Sequence, residues 1–325
     1  MPVMTYIDAI SRAMWEEMER DPAVFLIGED IGAYGGAFKA TKGFLEHFGA
    51  ARVIDSVLSE AAIVGAATGA AVLGMRPIAE MQFADFVTNA FNQIVTNAAK
   101  IYYRWRLPVP MVVRLPSGGY IHGGPYHSAS TESWFAHVPG LKVVAPATPA
   151  DARGLMKAAV RDNNPVMFFE FKYLYRRLKG EVPEGDSTVP IGKADVKREG
   201  TDATILTYGS TLHLSLEAAG IVAREEGAQT LVVDLRTLLP LDRETILKAV
   251  RATGKALIVH EDTLTGGVGA EVAALIASEA FDALDAPVRR LGALDAPVPF
   301  APTLEEAHLP STGSIVRALR DLLKY

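Results

Sequence analysis

Arg52-Val53-Ile54-Asp55-Ser56-Val57-Leu58-Ser59-Glu60-Ala61-Ala62-Ile63-Val64-Gly65 is the stretch from which the fold is read. Its first six residues are those of a short strand, Ser59 has the chemistry of a helix N-cap, and residues 61–73 form a helix with almost no bulk on it. Glu60 therefore falls in the first helical turn. Ala61, Gly65 and Gly69 recur at a spacing of four, so one side of the helix is nearly bare backbone. Each glycine costs roughly 1 kcal/mol of helix propensity, and close approach by another element is the expected return. By position alone Glu60 needs no function, because an acidic residue complements the positive end of any helix.

Toward the amino end, Thr5 caps a helix whose apolar positions Ile7, Ile10, Met14 and Met18 follow helical spacing and stop before Pro22. Val24-Phe25-Leu26-Ile27-Gly28 reads as a buried strand, and residues 29–36 as a glycine-rich loop whose spacing is not that of a dinucleotide fingerprint. Toward the carboxyl end the expected order is strand 76–83, helix 85–104, strand 110–114, a long glycine-rich loop 117–128, strand 142–145, a helix opening at Thr148-Pro149, and strand 166–170. This alternation of apolar strands and helices predicts an α/β domain over residues 1–185, with a mostly parallel sheet covered on both faces. Residues 186–202 read as a charged, Pro- and Gly-containing linker. A second, smaller open α/β sheet is expected over residues 203–325, with helices at 211–226, 242–252, 269–281 and 314–324.

Bulk composition narrows the function. The 325 residues are 49% hydrophobic and 22% charged with a net charge of -6, enough for two cores and without a basic footprint for nucleic acid. The chain has no cysteine, which excludes disulfides, thiolate metal sites and a thiol nucleophile. No apolar run approaches the ~20 residues that span a bilayer, and the amino end is unlike a signal or transit peptide, so the expected location is the cytoplasm. Gly-x-Ser-x-Gly, His-Glu-x-x-His and Walker motifs are all missing. His122 and His127, in the glycine-rich loop, are the histidines placed as working groups usually are, although two solvated loop histidines explain them equally well. Trp134, Phe135 and His137 are expected to pack the base of that loop.

The motifs then converge on one family. Leu58-Ser59-Glu60-Ala61, Glu80-Met81-Gln82-Phe83-Ala84-Asp85-Phe86, Tyr126-His127-Ser128, Arg161-Asp162-Asn163-Asn164-Pro165, Pro190-Ile191-Gly192-Lys193-Ala194 and His260-Glu261 followed by Thr265-Gly266-Gly267 occur in order. From about Met4 to Tyr325 the chain resembles the β subunit of the thiamine-diphosphate-dependent 2-oxo acid dehydrogenases, the decarboxylating components of the pyruvate, acetoin and branched-chain complexes. The resemblance implies a pyrimidine-binding domain followed by a transketolase C-terminal domain.

It also implies a role for Glu60. Thiamine diphosphate must lose a proton from its thiazolium carbon to its own imino group, a tautomer favoured when a carboxyl hydrogen-bonds the far pyrimidine nitrogen. Positioned proton transfer of this kind is worth ~10²–10⁴ in rate. By motif, Glu60 matches that carboxyl and Phe86 the ring stacked on the pyrimidine, with Gln82 nearby as a further cofactor contact. His127 matches the histidine that faces substrate and the incoming lipoyl group. The family's structural monovalent cation, usually potassium, maps to Met111, Val112, Ala159, Val160, Asp162 and Asn164, although Asp162-Asn163-Asn164-Pro165 also has the composition of a plain turn.

The Gly-Asp-Gly segment that grips the diphosphate through magnesium in the family's other subunit does not occur here. The resemblance therefore implies an α subunit, an α2β2 heterotetramer, and docking to a dihydrolipoamide acyltransferase core through its lipoyl and subunit-binding domains. It departs from the family at Tyr102-Tyr103-Arg104-Trp105-Arg106-Leu107, where relatives carry a Ser-Gly-Gly type of turn. Tyr126-His127-Ser128 and Phe168-Phe169-Glu170 lean toward a branched-chain substrate such as 3-methyl-2-oxobutanoate, while the Arg161 to Pro165 motif is shared with pyruvate enzymes. A pyruvate or acetoin enzyme is the alternative within the family. A noncatalytic α/β interaction protein is the alternative outside it.

Overall fold

Six parallel strands lie side by side in the order Lys142–Val144, Val166–Phe171, Val112–Ser117, Arg76–Glu80, Val24–Gly28, Val53–Asp55. Every residue of Val24–Gly28, Val112–Ser117 and Val166–Phe171 is buried, as parallel strands covered on both faces require. The computed structural model describes all 325 residues in two units, Met1–Ser117 with Trp134–Ile191 and Gly118–Ser133 with Gly192–Tyr325. No helix is long and apolar enough to cross a membrane.

In the first unit, helices Tyr6–Arg20 and Pro149–Arg161 pack against each other. Both are capped as their sequences dictate: Thr5 accepts from the Asp8 N–H at 3.2 Å and Thr148 from the Asp151 N–H at 3.1 Å. Strand order sets where a ligand can lie. From Val24–Gly28 the chain passes to Val53–Asp55 on one side, and helix Glu60–Val72 carries it back to Arg76–Glu80 on the other. The loops leaving Val24–Gly28 and Arg76–Glu80 thus diverge, and their carboxyl ends form a topological switch point, the usual ligand crevice of open α/β sheets.

Arg114 ties that edge together. It is 2% exposed, its Nε and Nη2 hold Glu170 at 2.7 and 2.8 Å, and its Nη1 pairs with Glu80. The Tyr175 hydroxyl completes the group by donating to Glu170 Oε2 at 2.8 Å.

Residues 85–104 do not form the single helix expected of them. A 3₁₀ segment Ala84–Ala90, a π-helical segment Gln93–Ala98 and helix Ala99–Trp105 follow one another. Side chains compete for backbone hydrogen bonds there: the Thr88 hydroxyl donates to the Asp85 carbonyl at 3.2 Å and Asn97 Nδ2 to the Asn92 carbonyl at 3.4 Å. Arg106 ends this run at φ 59°, taking the left-handed conformation that a glycine turn would supply. Val3–Thr5 pairs antiparallel with Lys179–Glu181.

The second unit carries the strand order Arg289–Ala293, Ala256–Thr263, Ala203–Thr207, Thr230–Asp234, parallel throughout, with Asp195–Arg198 added antiparallel at the edge. The stretch read as linker, 186–202, therefore contains an edge strand, and its Lys197 and Arg198 are the charges that protect such edges. Helix Pro302–His308 lies between the last expected strand and the last expected helix, where no element was expected. Residues 118–133 group with this unit, so the contact division is discontinuous in sequence where the reading of 1–185 and 203–325 is contiguous.

His260 lies at the centre of the second sheet, fully buried. A Cβ on Gly267, Gly269 or Gly292 would come within 2.9 Å of its ring, so those glycines are there for close approach. Its Nδ1 donates to the Asp262 carbonyl at 3.0 Å. Burial pushes the imidazole down to about 4. The unfolded chain, with a histidine near 6.5, takes up a proton between pH 6.5 and 4 that the folded chain refuses. Stability from this group is thus intact above pH 6.5 and lost as pH falls toward 4, by about 3 kcal/mol in total. Thermal melts from pH 7.5 to 4.5 should show a shallower pH dependence for His260→Asn than for the parent; equal slopes contradict the assignment.

Candidate active site

The carboxyl edge of the first sheet gathers acidic and amide side chains. Strand Val24–Gly28 runs into Glu29, 7% exposed, and helix Glu60–Val72 begins with Glu60, 6% exposed. The expected cap is not the one observed: the Ser59 side chain makes no capping hydrogen bond. Its backbone N–H faces the carboxyl of Glu29, whose Oε1 is buried without a hydrogen-bond partner. Burial and then the charge of Glu60 push the Glu29 carboxyl up, against the lowering effect of that N–H.

Asn89 Nδ2 donates to Glu60 Oε2 at 3.3 Å. Gln82 Nε2 donates to Asp30 Oδ2 at 3.3 Å, joining the two diverging loops of the switch point. Phe86 sits half-buried in the Ala84–Ala90 segment, edge-on to Phe83 at 5.6 Å, and that segment packs on the Glu60 helix. Glu60, Gln82 and Phe86 are thus brought to one end of one sheet. Glu29 and Asn89 are the partners that the sequence reading missed. Glu29 was legible as a carboxylate at the end of a buried strand beside a switch point; Asn89, inside a presumed regular helix, was not.

The helix face expected to be bare is open in this chain. Nothing lies within 4 Å of a Cβ built on Gly69, and Leu58 and Leu73 are 81% and 87% exposed. Exposed leucines flanking a glycine-lined helix face have the character of a surface awaiting a partner.

Of the six residues assigned to a monovalent cation, all lie around the carboxyl end of helix Pro149–Arg161 and the start of strand Val112–Ser117. The Met111 carbonyl accepts from the Val166 N–H at 2.9 Å and the Ala159 carbonyl from the Asp162 N–H at 3.2 Å. Arg76 Nη1 binds the carbonyls of Val160 and Asp162 at 2.9 and 3.0 Å. Burial alone would raise the Asp162 carboxyl, but hydrogen bonds from Lys142 and Asn164 outweigh it and hold the group below its usual range. These oxygens lie at the negative end of a helix, and Arg76 and Lys142 already bring positive charge to them.

In the second unit, His127 and His122 lie on the loop Gly118–Ser133. His127 is half-buried and its N–H donates to the Gly124 carbonyl at 3.3 Å; the His122 side chain is 47% exposed. Downstream, only Phe135 packs inward, against Phe91 and Phe169 at 5.7 and 6.2 Å. Trp134 and His137 are exposed, contrary to expectation.

Comparison with known proteins agrees with this layout. Residues 3–177 match the transketolase pyrimidine-binding domain and residues 192–315 the transketolase C-terminal domain. The chain is 54% identical to the 2-oxoisovalerate dehydrogenase β subunit of Bacillus subtilis, over 100% of both chains. It is 44% identical to the mitochondrial 2-oxoisovalerate dehydrogenase β subunit 2 of Arabidopsis thaliana, over 99% of this chain and 90% of the relative. Identity is also 44% to the β subunit of the acetoin:2,6-dichlorophenolindophenol oxidoreductase of Cupriavidus necator, over 97% of this chain and 96% of that one. Among solved structures, an inactive β4 tetramer of a split-gene transketolase superposes with a TM-score of 0.80 at 26% identity, over 99% of this chain and 98% of that one.

The Glu29 geometry has a measurable consequence. A carboxyl raised in the folded state binds a proton there before the unfolded chain does, so its contribution is present at low pH and lost as pH rises through the raised value. Glu29→Gln keeps the size of the side chain and removes the charge facing Glu60. The variant should melt higher than the parent at pH 8, with the difference vanishing at pH 4; a lower melting point at both pH values contradicts the arrangement.

Proposed function

Because the chain belongs to the β subunits of the thiamine-diphosphate-dependent 2-oxo acid dehydrogenases and works with an α subunit, we propose that it serves a cytoplasmic enzyme oxidising a branched-chain 2-oxo acid. The observation that carries the substrate is the full-length 54% identity to a 2-oxoisovalerate dehydrogenase, ten points above the acetoin enzyme's β subunit. A side-chain pocket distinguishes one methylene by only ~1–3 kcal/mol, so this difference is one of degree and the assay below decides it.

Thiamine diphosphate, when bound, supplies the electron sink that decarboxylation of a 2-oxo acid requires. The residues present fit its pyrimidine half: a buried carboxyl at a helix start, a neutral amide on one of its oxygens, and an aromatic ring on the adjoining segment. Glu60, whose Oε2 accepts from Asn89, would hold the pyrimidine ring nitrogen through its carboxyl. Phe86 would stack on that ring and Gln82 would be a further contact. His127 would orient the 2-oxo acid carboxylate or act in acyl transfer to the lipoyl group. Magnesium and the diphosphate fall to the α subunit, since this chain has no Gly-Asp-Gly segment. The α subunit covers the open face of the Glu60 helix in an α2β2 assembly.

The oxygens of Met111, Val112, Ala159, Val160, Asp162 and Asn164 would hold a structural monovalent cation, potassium being the family's usual choice. Residues 203–325 dock onto the subunit-binding domain of a dihydrolipoamide acyltransferase core. Both assignments draw their support from the resemblance.

Dye reduction by the co-assembled α and β subunits, with cofactor and magnesium present, should favour 3-methyl-2-oxobutanoate over pyruvate by tenfold or more in kcat/KM, about 1.4 kcal/mol. The reverse preference moves the enzyme to the pyruvate branch. Glu60→Gln should lower kcat by at least ~10² with either acid; an unchanged kcat removes Glu60 from the chemistry.

A further inference from the structure

The loop carrying His127 is clasped by two buried carboxylates of its own unit. Glu261, 3% exposed, accepts the Gly119 N–H on Oε1 and the Ser210 hydroxyl on Oε2. Glu305, 1% exposed, accepts the His122 backbone N–H on both oxygens at 3.2 Å and pairs Oε2 with His122 Nδ1 at 2.7 Å. Between these two anchors the Tyr120 hydroxyl donates to the Pro310 carbonyl at 2.6 Å.

The backbone so held is not one the chain adopts unaided. Tyr120 and His122 stand at φ 59° and 58°, and left-handed backbone costs a non-glycine residue about 1–2 kcal/mol. Gly119 passes so close to the C-terminal segment that a Cβ there would lie 2.7 Å from Leu309 Cδ1 and 3.3 Å from Glu305 Oε1. Burying a carboxylate to grip a loop is also costly, since an apolar residue of the same size would fill the space without a desolvation penalty. Two costs at one place, in the loop that bears the substrate-facing histidine, indicate a conformation that is being enforced.

We propose that Glu305 is a positioning residue: through His122 it fixes the curvature of the loop and so sets where His127 is presented. The inference rests on the acyl-transfer role proposed above for His127. It gives His122 a task other than chemistry, as the handle by which the loop is held. Misplacing a reacting group by about 1 Å can cost ~10² in rate, so the effect should fall on the step that His127 serves and leave the others alone.

The test uses the assembled α and β complex and two readouts, 2-oxo acid-dependent dye reduction and acylation of an isolated lipoyl domain. Glu305→Ala should lower the kcat of lipoyl acylation by about tenfold or more while dye reduction stays within about threefold and KM for the lipoyl domain is little changed. Glu305→Gln, whose amide oxygen still accepts the His122 N–H, should recover most of the loss. Unchanged acylation in Glu305→Ala overturns the proposal. So does an equal loss of both activities in Glu305→Ala and Glu305→Gln together with a lowered melting temperature, which makes the role structural. If Glu305→Ala does not assemble, Tyr120→Phe and His122→Ala read the same tether, and acylation unchanged in both overturns it. His127→Ala separates the two readings: no effect on acylation there removes the role of His127 itself, while a loss there with none in Glu305→Ala removes only the positioning.

Discussion

A single guanidinium holds the working edge of the first sheet. Arg114 spans three adjacent strands, Arg76–Glu80, Val112–Ser117 and Val166–Phe171, by engaging Glu80 and Glu170 at their carboxyl ends. Two buried carboxylates without that cation would each face a desolvation cost of several kcal/mol, and breaking one buried partner typically costs about 3–5 kcal/mol. Burial pushes the Glu80 carboxyl up even with Arg114 beside it. The clamp lets the carboxyl ends of the strands carry polar groups without splaying apart. Glu29, Gln82 and Glu60 can then occupy the switch point beside it on a rigid frame.

The Glu60 helix follows from the same economy of space. It gives up side chains over Ala61, Gly65 and Gly69 and leaves flanking leucines exposed in the single chain. A face like that gains nothing in an isolated subunit. On the proposed assignment, an α subunit packed on it would bring the diphosphate half of the cofactor to the carboxyl assigned to the pyrimidine half. Such a division would account for the missing Gly-Asp-Gly segment.

Much of the fold was legible because parallel strands and capped helices speak locally. The buried strand Val24–Gly28, the caps at Thr5 and Thr148 and the alternation of the second unit follow from residue type and spacing alone. Glu60 was legible only as a helix-start acid until the motifs around it were set beside those of a family. What escaped was non-local. Ser59 was credited with a cap that its side chain does not make, and Glu29, which faces its N–H, comes from the end of another strand. The break of residues 85–104 into three helical types depends on Asn and Thr side chains competing with the backbone, which a periodicity argument averages away. Glu305 lies far along the chain from His122, and nothing in either local sequence announces the other.

Thiamine diphosphate titrated calorimetrically, with magnesium, into the β chain alone, the α chain alone and the assembled complex tests most directly that the cofactor site is divided between two subunits. Tight binding is expected from the complex alone, and weakened binding from the complex carrying Glu60→Gln. Tight binding by this chain without its partner, or unchanged affinity in the Glu60→Gln complex, would contradict the division of the site and the place given to Glu60 within it.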